Sequence, residues 1–355
     1  MIVTKMNQPT MKDLILITDY KNNFGSKWKA EPYRSGFDKS YLAQLFAQNG
    51  FNLIIIPAAN VNCSEDFWNG AFVLYTSSEE FGLHYKSYLE DIVASLELKG
   101  AIVIPKAIFL RAHENKVFME QLRKVLIPKD LQTIQAQAVG SMEELNQMLT
   151  EKKLLFPTVL KTASGAMSTG VFLAKTEAEL LKTVKKISSN FNLSKFIKEK
   201  IREKKHENYK LESQNQRKFI LQPFIKNLTC DWKVLIYGNK LFVLRRNIKD
   251  NDFRASGSGF NYKAGSESEF PEKYLDFVYQ FYKYLDVPNV SLDFAFDGEK
   301  PYIIEFQAIY FGTSTQFKSK DYYELNDNKW ELKQNNFDQE SIFVDSIIQF
   351  LNKQQ

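Results

Sequence analysis

Two residue types that build many active sites are nearly missing. Only two cysteines occur, Cys63 and Cys230, far apart and outside any metal or redox motif. That excludes a disulfide-stapled scaffold and a cysteine zinc site, and it suits free thiols in a reducing compartment. The three histidines, His84, His113 and His206, are scattered, which argues against a histidine zinc site or a histidine-based triad. No apolar run approaches the ~20 residues that span a bilayer. The apolar stretch 14–17 is too short, and too soon followed by charge, for a signal peptide. After it comes Asn22-Asn23-Phe24-Gly25, which is not a glycine-rich dinucleotide fingerprint. Internal repeats and low-complexity tracts are absent. The charge excess is only +5, and much of it lies in one lysine-rich stretch, so the balance makes no case for a nucleic-acid partner. Hydrophobic content of 44% and charged content of 25% are those of an ordinary soluble chain, and 355 residues suffice for two or three domains. The expectation is a cytoplasmic protein without a membrane partner.

The most informative feature present is a pair of alternating runs near the C-terminus. Val290-Ser-Leu-Asp-Phe-Ala-Phe296 and Pro301-Tyr-Ile-Ile-Glu-Phe-Gln307 flank Asp297-Gly298, a hairpin turn signal. The period of two puts Leu292, Phe294 and Phe296, with Tyr302, Ile304 and Phe306, on one face. Asp293, Glu305 and Gln307 take the other. A three-residue loop at 298–300 sets Asp293 directly across from Glu305, whereas a two- or four-residue loop shifts the pairing by one. Two carboxylates ~5 Å apart repel each other, and a bound cation reverses that. Oxygen ligands on a rigid hairpin suit magnesium, which leaves room for phosphate. The plain alternative is a surface hairpin with ordinary acids.

Further segments accompany it in order. Phe156-Pro-Thr-Val-Leu-Lys161 leads into the small-residue loop 162–170 and then Val171-Phe-Leu-Ala174. Phe219-Ile-Leu-Gln222-Pro-Phe-Ile225 follows, then Asp231-Trp-Lys233-Val-Leu-Ile-Tyr237. Leu241-Phe-Val-Leu-Arg245-Arg246 and Asp252-Phe-Arg254-Ala-Ser-Gly complete the set. Gly238-Asn239 suits a two-residue turn, which pairs Tyr237 with Lys240 and Asp231 with Arg246. From about residue 111 to about 315 this succession resembles the ATP-grasp superfamily, in the pattern of the ribosomal-protein glutamate ligases and related carboxylate–amine ligases.

The resemblance implies an α/β (α+β) protein with the ATP-grasp fold. An N-terminal parallel-sheet α/β domain (1–110) precedes a central region with the small ATP-grasp subdomain and phosphate loop (111–225). A C-terminal subdomain with the metal site (226–355) completes the chain, and the two α+β subdomains sandwich the nucleotide. In the first domain, strands are expected at 14–18, 53–57, 72–75 and 101–105 and helices at 38–49 and 85–98, alternating as a parallel sheet requires. Arg34 and Lys86 near the strand ends read more readily as surface charge. A single helix is expected at 111–125, with Val117, Phe118, Leu122 and Val125 near helical spacing. The basic run 198–205 reads as a solvated helix, and the last helix is expected near 339–352.

The implied activity is ATP-dependent carbon–nitrogen ligation of a small-molecule carboxylate (an amino acid, peptide-like acid or sugar acid) to an amine, through an acyl phosphate. The implied cofactors are ATP and Mg2+. The resemblance assigns Lys116, Lys161 and the loop residues Ser164, Gly165, Ser168 and Thr169 to the phosphates. It sets Gln222, Phe224 and Ile225 at the adenine edge and Asp231 and Lys233 beside the nucleotide. Arg246 and Arg254 take the transferring phosphate and substrate carboxylate, and Asp293, Glu305 and Gln307 take the metal. Lys116 as an exposed lysine, Phe224 and Ile225 as core, and Arg246 as a structural salt bridge are the plain alternatives. The chain departs from the family's habit at Ala163 and Met167, where glycine is usual, and at Pro223, where an acid is often found. It also has Gln307 in place of asparagine. Modification of a protein tail, or a nucleotide-binding scaffold that lost turnover, are the competing readings. Related ligases often form dimers, which leaves a homodimer open.

Overall fold

The computed structural model describes residues 11–25, 36–165, 170–248 and 262–354. Four strands form a parallel N-terminal sheet in the order β2-β1-β3-β4: β1 (Lys12–Thr18), β2 (Phe51–Pro57), β3 (Phe72–Tyr75) and β4 (Ile102–Ile104). Helices α1 (Lys39–Gln48) and α2 (His84–Leu98) lie between them in sequence, as the alternation predicts. A parallel sheet covered on both faces needs strands that are apolar throughout, and β1 shows it. Leu14 and Leu16 pack with Leu42 and Phe46 of α1, while Ile15 and Ile17 pack with Leu89, Val93 and Leu96 of α2. Asp38 starts α1 by accepting from the amides of Ser40 and Tyr41 at 2.9 and 3.1 Å. Lys86, expected at the surface, is 4% exposed and ion-paired with Glu90 one turn on.

The single helix expected at 111–125 is two: α3 (Ala107–Ala112) and α4 (Lys116–Leu126). Glu114 takes φ 52°, a left-handed conformation that ends the first helix. The Asn115 side chain then accepts from the Phe118 amide at 3.3 Å and caps the second. The inward face of α4 also differs from the expectation. Lys116, Met119, Glu120, Leu122 and Arg123 are buried, whereas Val125 is 78% exposed. The charged residues turn inward because partners wait for them there.

The middle sheet is antiparallel, in the order β5-β8-β6-β7. It comprises β5 (Gln137–Ser141), β6 (Thr158–Thr162), β7 (Val171–Ala174) and β8 (Gln216–Pro223). Helices α5 (Met142–Thr150) and α6 (Glu177–Ser188) close its core through Leu145, Leu180 and Val184. Helix α7 (Leu193–Lys205) is exposed except at the buried Glu199 and the half-buried Phe196 and Lys200, the solvated basic helix the composition suggests.

The largest sheet runs β13-β12-β9-β10-β14-β15, with β11 (Lys263–Ala264) beside β10. Its other strands are β9 (Cys230–Tyr237), β10 (Lys240–Asn247), β12 (Asn289–Phe296), β13 (Pro301–Gln307), β14 (Asp321–Asn326) and β15 (Lys329–Gln334). One face is core, filled by Val234, Val243, Leu292 and Phe294 against α8 (Leu275–Leu285) and α4. After the short α9 (Ser314–Lys318), the last helix α10 (Gln339–Gln354) joins the other core, setting Val344, Ile347 and Leu351 beside Leu14 and Leu16. Among the described residues no helix is long and apolar enough to cross a membrane. Cys63 and Cys230 are both free.

Candidate active site

Alternation on β9, β10 and β12 gives one face to the core against α4 and α8, while the other is packed by Leu235, Tyr237 and Phe242 at one end and polar at the opposite end. That second face carries Asp231 and Lys233, Arg246, and Asp293 at neighbouring positions. The turn at Gly238, with φ 58°, sets Asp231 opposite Arg246 as the two-residue loop predicts. The pair is bidentate: Arg246 Nε and NH2 donate to the two Asp231 oxygens at 2.6 and 2.8 Å. The same NH2 lies 3.2 Å from Asp293 Oδ1, and Lys233 Nζ lies 3.4 Å from it.

Asp293 does stand across from Glu305, but by a different route from the three-residue loop expected. The loop holds four residues, 297–300, because Phe296 pairs with Pro301. A β-bulge then restores the register: Phe294 pairs with Ile303 and Asp293 with Glu305, leaving Ile304 extra. Ile303, not Ile304, therefore joins the apolar face. The bulge is held from outside. Arg123 of α4, 1% exposed, donates NH1 to the Ile303 carbonyl at 2.6 Å and NH2 to the Ile304 carbonyl at 3.1 Å. Glu120 balances that guanidinium at 3.0 Å and accepts from Gln222 Nε2 of β8 at 3.2 Å. A chain of polar contacts thus ties the middle sheet, α4 and the β12–β13 hairpin together. Apolar periodicity does not single out Glu120 and Arg123. Their signal was charge at the same helical spacing as Lys116.

Lys116 opens α4 and bridges the β12–β13 hairpin and the loop after β6. Its Nζ lies 3.4 Å from Glu305 Oε1 and donates to the Gly165 carbonyl at 3.2 Å. At 8% exposure it is not a surface lysine. Lys161, at the end of β6, also feels Glu305 and Asp293. Gly170, with φ 82°, returns the loop so closely to β6 that a Cβ there would stand 2.1 Å from Thr162 Oγ1, so glycine is required. Thr162 Oγ1 donates to the Ser164 carbonyl at 2.8 Å. The Gly165 amide, expected to face phosphate, donates to Glu114 Oε2 at 2.8 Å. Ser168, Thr169 and Met167, like Arg254 and Arg34, lie outside the described residues. Gln222 is buried, while Phe224 and Ile225 are half-buried beyond the exposed Pro223. The Phe224 amide reaches the Pro157 carbonyl at 3.3 Å. Gln307 shares Glu305's side of β13 and pairs in register with Ser291.

Charge decides the protonation states. Burial alone would raise the Asp293 carboxyl, but Arg246 and Lys233 outweigh it and hold the group far below the usual carboxylate range. Burial opposes the charge on Arg246, yet Asp293 and Asp231 keep it firmly protonated. Asp231 is pushed upward by burial, against the pull of Arg246. Burial also opposes the charge on Lys116, and Glu305 and Glu114 more than compensate. Lys161 goes the other way, its ammonium lowered by burial with only partial relief from Glu305. Lys116, Lys161, Lys233 and Arg246 thus converge on Asp293 and Glu305, which suits a polyanion that arrives with a divalent cation.

Beside this cluster, at the end of β3, His113 is not isolated as its sequence position suggests. Its Nδ1 lies 2.8 Å from Ser77 Oγ and its Nε2 3.1 Å from Glu79 Oε1. Glu79, His113 and Glu114 bring ligand-type atoms within 4.8 Å of one another.

A family model for the RimK-like ATP-grasp domain matches residues 115–269. No curated protein matches the chain in sequence. Among solved structures, D-cycloserine synthetase DcsG is 12% identical over 96% of this chain and 99% of its own, with a TM-score of 0.54. A Chryseobacterium gregarium RiPP-associated ATP-grasp ligase, in complex with ADP and a leader and core peptide, is 12% identical over 97% and 98%, at 0.52. N5-carboxyaminoimidazole synthetase from Staphylococcus aureus, complexed with ADP, is 9% identical over 96% and 78%, also at 0.52. The matched residues hold Lys116, the β6–β7 loop, Gln222 and the Asp231–Arg246 pair, and the chain has the fold of these ATP-grasp ligases.

Proposed function

We propose that this chain joins a small-molecule carboxylate to an amine at the expense of ATP, through an acyl phosphate. The observation that carries the reading is the convergence of Lys116, Lys233 and Arg246 on the facing carboxylates Asp293 and Glu305. Asp293, Glu305 and Gln307 lie on one side of a hairpin, and the two acids are 19% and 23% exposed. That donor set fits Mg2+, which would neutralise phosphate charge there. Lys116 and Lys161 would hold the phosphates from the β6 side, and Lys233 from the sheet. Gln222, Phe224 and Ile225 would line the base.

A substrate carboxylate oxygen would attack the γ-phosphorus as the bond to the bridging oxygen of ADP breaks. The amine nitrogen would then attack the acyl carbon, phosphate would leave, and the nitrogen would lose a proton. Arg246, fixed by Asp231, would stabilise the charge on the transferring group. Positioning and electrostatics supply the catalysis, and no protein nucleophile is needed.

The test measures ADP and phosphate release by the full chain against pools of carboxylates and amines, with and without magnesium. Release that requires one acid, one amine and the metal supports the reading. Tight ATP binding without release in any pool refutes it.

A further inference from the structure

One group of ligand-type side chains has no part in the ligation chemistry. Glu79, His113 and Glu114 meet at the carboxyl end of the parallel sheet, where open α/β sheets take their ligands. Glu79 comes from the loop after β3, and His113 and Glu114 from the short turn between α3 and α4. The imidazole is held in a set orientation. Its side chain is 1% exposed, and Ser77 Oγ stands 2.8 Å from Nδ1. A hydroxyl on that nitrogen fixes the ring and turns Nε2 toward Glu79, 3.1 Å away. The Tyr310 ring packs against the imidazole, with centroids 5.7 Å apart. Glu79 is 16% exposed and Glu114 half-buried, so the group keeps an opening to solvent.

Charge and donor type point to the occupant. Two carboxylates that share a site repel, and one proton between Nε2 and Glu79 relieves only one of them. Lys86 of α2 and Lys116 of α4 offset part of the Glu114 charge. Around Tyr310 stand Asp19 and Glu80 as well, the latter paired with Lys21 at 2.6 Å. A divalent cation would serve both carboxylates and the imidazole lone pair at once. Nitrogen and oxygen donors together suit zinc and its first-row neighbours, whereas magnesium prefers oxygen alone. Metal bonds of about 2.0–2.2 Å would draw the three donors closer than they stand, an adjustment that two flexible glutamates allow. A carboxylate has two oxygens, so Glu114 can serve the Gly165 amide and an ion together.

We infer that Glu79, His113 and Glu114 form a metal site of their own, which takes one divalent transition ion of the zinc class. It is separate from the oxygen donors Asp293, Glu305 and Gln307. Ser77 is its positioning residue, acting through the His113 ring. Three protein ligands leave a coordination position open, which water or a small molecule fills. The inference stands apart from the ligase reading, since it calls on neither ATP nor turnover.

The test is calorimetry with Zn2+ on the full chain, stripped with EDTA and then held in excess magnesium. Co2+ is the second probe, because its visible bands report the ligands around it. The expected result is one equivalent of Zn2+ that magnesium does not displace, with Co2+ bands at the same stoichiometry. His113→Gln and Glu114→Gln should each weaken Zn2+ at least about hundredfold and change the Co2+ bands, and Ser77→Ala should weaken it about tenfold. Asp293→Asn should leave the Zn2+ affinity within about twofold, as a distant and independent site would. Melting curves check that each variant folds, and the half-buried Glu114 carries the test should His113→Gln unfold. No Zn2+ binding in excess magnesium overturns the inference. So does binding that His113→Gln and Glu114→Gln leave unchanged, or that Asp293→Asn removes. ADP release is not read in any arm, so none of these results decides the ligase reading.

Discussion

The N-terminal sheet and the large C-terminal sheet use their strands in opposite ways. In the first, Leu14, Ile15, Leu16 and Ile17 are all buried, so the strand interior is taken up by packing on both faces. Its polar groups, such as Ser77 and Glu79, are left to the loop at the strand end. In the second, β9 and β12 send every other side chain into core and lift Asp231, Lys233 and Asp293 out on the opposite face. An antiparallel sheet whose second face is packed over only part of its length, here by Leu235, Tyr237 and Phe242, can carry polar chemistry on the rest of its rigid strand interiors, where hydrogen bonding on both sides fixes each Cα. A doubly covered parallel sheet cannot.

The sharpest break of this contrast is Glu305→Ala. Turnover is expected to fall on the order of a thousandfold, measured as ADP release, with little change in melting temperature. Leu16→Ala in the other sheet should do the reverse, lowering stability by about 3 kcal/mol in urea titrations while leaving the ATP KM unaltered. Asp231→Ala should do both. It removes the bidentate partner of a buried guanidinium, at a cost of about 3 kcal/mol, and frees Arg246 to move. Rescue of activity by Asp231→Glu but not by Asp231→Asn would locate the effect in charge as well as shape.

A smaller effect concerns pH. Burial lowers the Lys161 ammonium, so its charge is present below its pKa and lost as pH rises through it, earlier than for a free lysine. ATP affinity should therefore weaken on the alkaline side, and Lys161→Arg should move that fall to higher pH, read by ATP titration across a pH series. Affinity that is flat through the alkaline range in the native chain would remove Lys161 from the phosphate site. The smallest expected change is Gln307→Asn, which shortens the amide arm by one methylene. It should shift the magnesium dependence of turnover by less than about tenfold.

Much of the site could be read from residue order. The two-residue turn at Gly238-Asn239 was enough to pair Asp231 with Arg246, since hairpin register follows from loop length. The pairing of Asp293 with Glu305 was also legible, though two local deviations produce it together: a loop one residue longer than expected and a bulge that shifts the register back. The bulge depends on Arg123, 180 residues away in sequence, donating to the Ile303 carbonyl. Apolar spacing does not show the split between α3 and α4, because the inward face of α4 is chosen by ionic partners and not by hydrophobicity alone. Lys86 departs from its expected surface position for a related reason: its partner Glu90 is local, but its burial comes from the surrounding fold.

Period-two patterning, turn residues and the succession of short motifs, properties of neighbours along the chain, sufficed to indicate the strands, the facing acids and the ATP-grasp fold. Which lysines are buried, how the hairpin is braced and which groups gather around His113 were settled by contacts between distant segments. Those contacts arise only when α4 lies between two sheets and α10 closes over a third. Local sequence sets which conformations are cheap, and long-range packing sets which groups lose their water and must find partners.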